Sequence, residues 1–266
     1  MNLSKEYIDM HNEYLKIINE TKKEAKLINT IQKITIKRKE RATHEEILAL
    51  ESEDIKLSED LMKNKKGGNK IYNFSNGDVY IGKIVDLSMN GKGIYTFLEG
   101  MEYIGEFKDN MKDGKGICTF NNGNEYIGEF KDDAMNGIGQ MIYSSKNEYI
   151  GNWEDGKRNG MGIYKWSDGC MYVGEFIGNK MEGIGECFGC DGKLIYKGQW
   201  KNNLAHGQGT YIWEDGKRYE GDFLHGKKHG IGTFYLNNEL VYEGTWKFDK
   251  PSIFNRTLDE IFSFMM

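Results

Sequence analysis

Proline and long apolar segments are almost absent from this sequence. One proline occurs among 266 residues, and no apolar run approaches the ~18–20 residues that a membrane-spanning helix needs. The mean hydropathy is −0.67. The first residues, MNLSKEYIDMHNEYLK, are charged throughout and lack the apolar core of a secretory signal. The sequence therefore predicts a soluble, cytoplasmic protein.

Cysteine and clustered positive charge are also scarce. Four cysteines are too few for a disulfide framework in a chain of this length. The pair in CFGC, Cys187 and Cys190, has the spacing of a metal knuckle, but zinc normally takes four ligands and Cys118 lies far away in the chain. The net charge is −5 with both signs interspersed, which gives no reason to expect nucleic acid as a partner. We predict no metal and no cofactor.

Glycine and aromatic residues, in contrast, are abundant and strictly spaced. Tyrosines recur every 23 residues, with one step of 24 after the fifth, at Tyr80, Tyr103, Tyr126, Tyr149, Tyr172, Tyr196, Tyr219 and Tyr242. A glycine stands two residues after each tyrosine, and a phenylalanine or tryptophan stands four residues after it, with Ile84 as the exception. A G-x-G pair follows in each of the first seven units. The chain is therefore a tandem repeat of about eight units.

The repeat predicts one β-hairpin per unit. Because side chains alternate along a strand, the Tyr, Gly and Phe of Y-x-G-x-F share one face, and glycine in a strand marks a close approach. We expect aromatic rings from neighbouring units to lie over these glycines, and the G-x-G pair to start the second strand. Segments such as NNG, SDG and EDG have the composition of hairpin turns. The fifth unit has one extra residue, and Gly189 replaces an aromatic residue there, so we expect a bulge or a bend.

This pattern closely resembles the MORN repeat (membrane occupation and recognition nexus), whose signature is Y-x-G-x-F/W followed by G-x-G. The resemblance covers about residues 68–250. It implies a mainly β fold, an elongated single-layer antiparallel sheet of stacked hairpins over 67–250. It also implies the roles of similar arrays in radial spoke heads of cilia, cytoskeletal collars and junctional membranes.

The other face of the predicted sheet carries an apolar stripe in the first five units and charged residues afterwards. The residues directly after the tyrosines are Ile81, Ile104, Ile127, Ile150 and Val173, then Lys197, Glu220 and Glu243. Ordinary β-branched filling of strands is one interpretation. The other is that a helix of this chain or of a partner covers the stripe, because long apolar stripes are rarely left in water.

Residues 1–66 form a predicted helical region, with one long amphipathic helix over 3–40 and shorter helices over 44–63. Its apolar residues follow a coiled-coil-like spacing, which Glu24 interrupts: Leu3, Tyr7, Met10, Tyr14, Ile17, Thr21, Ile28 and Ile31. Together with the stripe on the sheet, we predict that Tyr7, Met10, Tyr14, Ile17, Ile28 and Ile31 bind a partner.

We predict a short helix in the C-terminal segment, residues 251–266. Thr257 and Glu260 have the spacing of a capping box. The apolar residues then line one side, at Leu258, Ile261, Phe262 and Met265. The helix either covers the open edge of the sheet or docks on another protein.

No set of residues with catalytic spacing emerges from the sequence. The G-x-G pairs lack the third glycine and βαβ context of a nucleotide fingerprint, and no phosphate-binding G-x-x-x-x-G-K-[ST] motif occurs. We therefore predict a non-enzymatic scaffold that binds other proteins in a large assembly. The predicted location is the cytoskeleton or a cilium, and homo- and hetero-oligomers are both compatible with the sequence. The ciliary radial spoke is favoured on the family resemblance alone. A scaffold that tethers phospholipid membranes is the alternative.

Overall fold

The computed structural model describes residues 5–39 and 70–252, with the helical side chains given for Lys5 and from Tyr7 to Thr30. The chain divides into two compact units, Asn2–Asp168 and Gly169–Met266. The predicted helices at 44–63 and in the C-terminal segment lie outside the described residues.

The first unit begins with one long helix. Helix α1 spans Lys5–Lys39, within the predicted bounds of 3–40. Its buried residues are spaced alternately by four and three, at Tyr14, Ile18, Thr21, Ala25 and Ile28. This spacing gives the helix a narrow buried seam and leaves the opposite side in water.

The rest of the first unit is an antiparallel sheet in which each strand pairs with its neighbours in the chain. The strands are β1 (Lys70–Asn73), β2 (Val79–Val85), β3 (Ser88–Thr96), β4 (Glu102–Lys108), β5 (Met111–Thr119), β6 (Glu125–Lys131), β7 (Ala134–Ile142), β8 (Glu148–Glu154) and β9 (Lys157–Lys165).

The second unit repeats this arrangement with antiparallel neighbours throughout. Its strands are β10 (Met171–Ile177), β11 (Lys180–Phe188), β12 (Leu194–Lys201), β13 (Leu204–Ile212), β14 (Arg218–Leu224), β15 (Lys227–Leu236), β16 (Glu239–Lys247) and β17 (Lys250–Pro251). The mainly β fold of stacked hairpins is thus confirmed in each unit.

Two kinds of turn join the strands. Within a hairpin, two residues with positive φ suffice, as at Asp109 (φ 50°) and Asn110 (φ 72°), and Asn and Asp tolerate that conformation better than other side chains. Between hairpins the predicted glycine-containing turns form, and the Phe120 N–H donates to the Asn124 carbonyl at 2.9 Å. The turn prediction is therefore confirmed for the segments between hairpins.

The G-x-G pair does not start the second strand, as the sequence interpretation had it. Strand β5 begins at Met111, three residues before Gly114. Because the two-residue turn ends earlier, Gly114 falls inside the strand, at a bulge opposite the shift between Gly105 and Phe107. Its φ of +103° is a conformation that glycine adopts without steric cost.

The fifth unit contains the bulge that its extra residue predicted. Cys187 pairs with Tyr196 and Phe188 pairs with Leu194, so Ile195 is the additional residue. The pairing of Tyr196 with Tyr211 in the next hairpin shows that regular register resumes at once.

Candidate interaction surfaces

One face of each sheet is built from the repeated tyrosines, and we call it the aromatic face. Every repeat tyrosine donates its hydroxyl hydrogen to the backbone carbonyl three residues later, at 2.8–3.1 Å. All of these rings except Tyr242 are buried. The hydrogen bond fixes each ring flat along its own strand.

The tyrosine rings leave no space for a side chain at the repeat glycines. A Cβ atom built on Gly139 would overlap the Tyr126 ring, and one on Gly128 would lie 2.9 Å from the Tyr126 hydroxyl. The ring over each glycine pair thus belongs to the same hairpin. The expectation that neighbouring units supply it is wrong, since the short Y-x-G spacing lets a tyrosine fold back over its own strand.

Neighbouring units contribute edge-on contacts instead. Tyr103 lies between Phe107 of its own hairpin (centroids 5.1 Å apart, planes at 86°) and Phe130 of the next (5.0 Å, 79°). The same two contacts recur for Tyr126 with Phe130 and Trp153. Edge-to-face pairs of this kind contribute about 0.5–1.5 kcal/mol each beyond burial. A continuous ladder of rings therefore joins successive hairpins within each unit.

Burial of the tyrosine hydroxyls changes their acidity. It raises the pKa of Tyr103 and of Tyr126 far above the usual value, and the nearby Glu106 and Glu129 carboxylates act in the same direction. Burial, with help from the Asp78 carboxylate, raises the pKa of Tyr95 to about 12. Such hydroxyls stay protonated at neutral pH, which suits structural donors and does not suit general bases.

A further set of side chains lies on the aromatic face, one directly opposite the Phe or Trp of each hairpin, or opposite Ile84 in the first, and we call these the slot residues. They are Met89, Lys112, Met135, Arg158, Met181, Ala205 and Lys228. Lys228 is 8% exposed, and its Nζ lies 4.6 Å from the ring centroid of Trp213 and 5.2 Å from that of Trp246. Burial lowers the pKa of Lys228, and the Asp249 carboxylate opposes that shift.

In the first unit the opposite, far face of the sheet carries helix α1. The Tyr14 hydroxyl donates to Asn152 Oδ1 at 2.7 Å. Farther along the helix, Glu20 pairs with Lys115 and Glu24 pairs with Lys92, each at 3.1 Å. The helix therefore crosses the strands from β8 towards β3 as the chain proceeds. In each of these three contacts the sheet residue lies on the far face, so the helix lies over the predicted apolar stripe.

The apolar stripe on the far face of the first unit is the isoleucine row, and α1 lies across its part on β3–β8. The row comprises Ile81, Ile94, Ile104, Ile117, Ile127, Ile150 and Ile163. Ile94, Ile127, Ile150 and Ile163 are buried, and the others are half-buried. Gln140 interrupts the row, and its Oε1 accepts a hydrogen bond from Lys22 at 3.5 Å. On the helix, Thr21 is the buried polar residue, and its hydroxyl is satisfied by the Ile17 carbonyl at 2.9 Å.

The structure brings together most of the residues that the sequence predicted to bind a partner. Tyr14 and Ile28 lie in the buried seam of α1, whereas Tyr7, Met10 and Ile17 are half-buried. The Ile31 side chain lies outside the described residues. Ile18 and Ala25 are also in the seam, although strict a/d spacing did not select them. Binding of another protein through these residues stays a prediction.

The far face of the second unit is polar beyond its first strand. Val173 is fully buried. The next residues along this row pair with each other, and the Lys197 Nζ lies 2.7 Å from Glu186 Oε1. Arg218 and Glu220 form a similar pair at 3.1 Å. The sequence contrast between an apolar and a charged stripe is therefore reproduced in the described strands.

Sequence reasoning missed a second set of functional side chains on the far face, between the glycine and the Phe or Trp of each unit. The Ile138 N–H donates to Glu129 Oε2 at 2.9 Å, and the Ile231 N–H donates to Asp222 Oδ2 at 2.9 Å. These acceptors satisfy amides that the bulge removes from the strand ladder. Asn152 occupies the same position but accepts from Tyr14 of the helix.

The described part of the first unit contains cavities on both faces of its sheet. One of about 200 Å³ lies on the aromatic face, and we call it the aromatic cleft. It is lined by Met89, Tyr95, Phe97, Tyr103, Phe107, Asn110, Lys112 and Asp133. Another, of about 670 Å³, lies beside α1 on the far face, where Glu24, Lys115 and Glu129 are among its lining residues. Acids and bases alternate around it.

Within residues 5–39 and 70–252, no cluster of three potential metal ligands occurs. Burial raises the pKa of the Cys118 and Cys187 thiols to about 11, which disfavours the thiolate that metals and electrophiles need. None of the helices that the structure describes is long and apolar enough to cross a membrane.

The comparison with solved structures found low-level similarities. The TCP domain of SAS-4 (dCPAP) from Drosophila melanogaster, in complex with a proline-rich motif of Ana2, is 10% identical with a TM-score of 0.36, covering 65% of this chain and 89% of that chain. A mutant TCP10 domain of Danio rerio CPAP is 13% identical with a TM-score of 0.33, covering 69% and 92%. No curated protein sequence matches this chain significantly.

The comparison with protein families gives a direct match. The model of the MORN repeat matches residues 103–125, 126–148, 149–171, 172–193, 196–218, 219–240 and 242–252, which together make up more than half of the chain. The matched segments are the hairpins whose tyrosines and glycines form the aromatic face. This protein belongs to the MORN repeat family.

Proposed function

We propose that this MORN-repeat protein is a non-enzymatic scaffold that connects other proteins in a cytoskeletal assembly, most specifically as a component of the ciliary axoneme such as a radial spoke. The coarser part of this proposal, a repeat-based protein-interaction scaffold, follows from the family. The cytoskeletal assembly and the location in the ciliary axoneme are the more specific part of the proposal.

The observation that carries the proposal is the seating of α1 on the isoleucine row. An amphipathic helix lies across β3–β8, held by buried apolar residues and flanked by the ion pairs of Lys92 and Lys115. The repeat surface is thus able to bind a helix side-on, which is a recurring mode of protein recognition. The half-buried residues of α1, Tyr7, Met10 and Ile17, are the ones through which we propose that a partner extends this contact.

The aromatic cleft is the second proposed contact surface. Its rings are half-buried at Tyr95 and Phe97, and Lys112 and Asp133 lie at its margin with their charged groups 3.9 Å apart. Aromatic walls beside charged groups are typical of protein interfaces, in which aromatic residues carry much of the binding energy.

The test is affinity purification of the tagged full-length protein from ciliated cells, with quantitative mass spectrometry. Phe97→Asp should reduce recovery of axonemal partners at least tenfold. Phe120→Asp is the matched control, because Phe120 follows β5 as Phe97 follows β3 but does not line the cleft. Equal recovery with both variants would contradict binding in the cleft, and recovery of no cytoskeletal protein would contradict the proposed assembly.

The alternative function, a membrane tether, is tested by a second assay. Sedimentation with vesicles of phosphatidylserine and phosphatidylcholine at physiological salt should leave the protein in the supernatant, because Lys92 and Lys115 are paired with carboxylates of α1. Strong co-sedimentation would replace the protein scaffold with a phospholipid-binding one.

A further inference from the structure

The slot residues follow a rule that one of them breaks. In six of the seven hairpins this position holds a long, unbranched side chain, either Met, Lys or Arg. Ala205, opposite Trp200, is the exception. Its neighbours on the aromatic face are Tyr196 and Phe223, whose rings lie 5.2 Å apart. The slot between Trp200 and Phe223 is therefore the shallow one in the row.

The short side chain leaves a ring partly uncovered. In the other units the aromatic residue equivalent to Trp200 is buried. Examples are Phe176, Phe223 and Trp246, which are 2%, 6% and 1% exposed. Trp200 alone among them is only half-buried. A missing side chain at Ala205 accounts for this difference, because the other slot residues lie beside the equivalent ring.

The two slot lysines each have an aspartate in the turn of the following hairpin. The slot lysines accompany an aspartate, since the Lys112 N–H donates to Asp133 Oδ1 and the Lys228 N–H donates to Asp249 Oδ1, both at 2.9 Å. The slot methionine Met181 instead donates its N–H to the neutral Asn203.

At the shallow slot the equivalent turn residue is Gly226, whose N–H donates to the Ala205 carbonyl at 2.8 Å. No carboxylate is available from that position. The shallow slot therefore suits an uncharged, flexible side chain such as methionine, whose thioether packs well against aromatic rings.

We propose that the shallow slot is a docking site for the C-terminal segment of this same chain, residues 253–266, and that the Met265 side chain fills it. The segment carries apolar residues at helical spacing, Leu258, Ile261, Phe262 and Met265. Its apolar residues match the aromatic rings of Trp200 and Phe223 that border the shallow slot, and methionine is the residue this chain uses in its other uncharged slots, Met89, Met135 and Met181. The docked segment would shield Trp200 from water.

The connection is long enough. The described chain ends at Ser252, whose N–H donates to the Thr245 carbonyl on β16 at 2.7 Å. From β16 to β13, which carries Ala205, is three strand spacings, or roughly 14 Å at ~4.8 Å per strand. The thirteen residues from Ser252 to Met265 span about 20 Å even if fully helical.

Nuclear magnetic resonance of the full-length protein with ¹³C-labelled methionine methyl groups tests this placement, with Met265→Leu identifying the signal. We expect the Met265 methyl resonance to be shifted upfield by the rings of Trp200 and Phe223. Ala205→Met should return it to the position measured for a synthetic peptide of residues 253–266. Ala134→Met, the same substitution outside the slot row, should leave it unchanged.

A second pair of variants guards against misfolding of Ala205→Met. Met265→Ser should increase hydroxyl-radical labelling of Trp200, and Met266→Ser should not. A peptide-like Met265 signal in the unmodified protein, no response to Ala205→Met, or an upfield shift that disappears on dilution would each overturn the proposal. The last result would instead assign the slot to a second copy of the chain.

Discussion

The Tyr126 hydroxyl donates a hydrogen bond to the Glu129 carbonyl, three residues along the same strand, at 2.9 Å. The bond places the ring over Gly128 and over Gly139 of the paired strand. Phe130 and Trp153 then meet its two sides edge-on. One residue thus connects backbone, cross-strand packing and the contact with the next hairpin. The same connection recurs at Tyr103, Tyr172, Tyr196 and Tyr219.

Tyr126→Phe should lower the free energy of unfolding by about 1–3 kcal/mol, because the ring contacts remain while the buried Glu129 carbonyl loses its donor. Chemical denaturation measures the change. Tyr143→Phe, which keeps the half-buried ring beside Tyr164, is the control and should cost less than about 0.5 kcal/mol. Equal effects at both positions would contradict the assigned role of the hydroxyl.

Gly139→Ala should be severely destabilising, by about 3 kcal/mol or more, because its Cβ would overlap a ring that cannot move away. Gly91→Ala is the contrasting variant. Gly91 has a φ of +76° and open space around its Cβ position, so only the backbone conformation resists, at about 1–2 kcal/mol. Thermal unfolding of both variants should rank them in this order, and the reverse ranking would contradict the packing described.

Ile18→Ala should cost about 2–4 kcal/mol if the seam of α1 is packed as described, since Ile18 is 1% exposed. Ile8→Ala removes the same atoms from a side chain that is 43% exposed, and should change stability by less than about 0.5 kcal/mol. Urea denaturation followed by circular dichroism separates the two. A small effect of Ile18→Ala would mean that the helix does not dock on the sheet.

Alkaline pH should unfold the protein steeply. Burial raises the pKa of the repeat tyrosines, including Tyr80, Tyr103 and Tyr126, above the unfolded value of 10. Above pH 10 the unfolded state therefore holds fewer protons than the folded state, and stability falls as pH rises. Each such tyrosine contributes a slope of about 1.4 kcal/mol per pH unit until its folded pKa is reached.

Tyrosinate absorbance should therefore appear together with loss of the β-sheet signal, in one cooperative step above pH 10. Buried Lys228, whose pKa is lowered, acts in the opposite direction, but only up to the unfolded pKa of about 10.5. Gradual ionisation of the repeat tyrosines with the sheet intact would contradict their burial.

The sequence was sufficient for the hairpins, the shared face of Tyr, Gly and Phe, the long helix and the bulge at the fifth unit. Each of these depends on local chemistry or on strict periodicity, which the 23-residue spacing displays. The ring over each glycine pair was assigned to the wrong hairpin, because strand alternation fixes the face of Tyr126 but not the direction in which its side chain leans.

The acceptor role of Glu129 and the slot residues could not be derived in the same way. Both depend on the register shift at the bulge, which places Met135 opposite Phe130 and brings the Ile138 amide to Glu129. The sequence does contain a signal for the acceptor role, because a polar residue recurs between the glycine and the Phe or Trp of most units. The sequence likewise left open whether α1 covers its own sheet or a partner, because the apolar pattern of a helix does not identify the surface on which the helix packs.

The central claim is that α1 covers the isoleucine row of its own chain, and zero-length carbodiimide cross-linking tests it most directly. A mixture of ¹⁴N- and ¹⁵N-labelled full-length protein should yield cross-links from Glu20 to Lys115 and from Glu24 to Lys92, because each pair lies 3.1 Å apart. We predict that both peptides in each cross-link carry the same isotope. Mixed-isotope pairs would place the helix on another copy, and absence of both cross-links would contradict its position on the sheet.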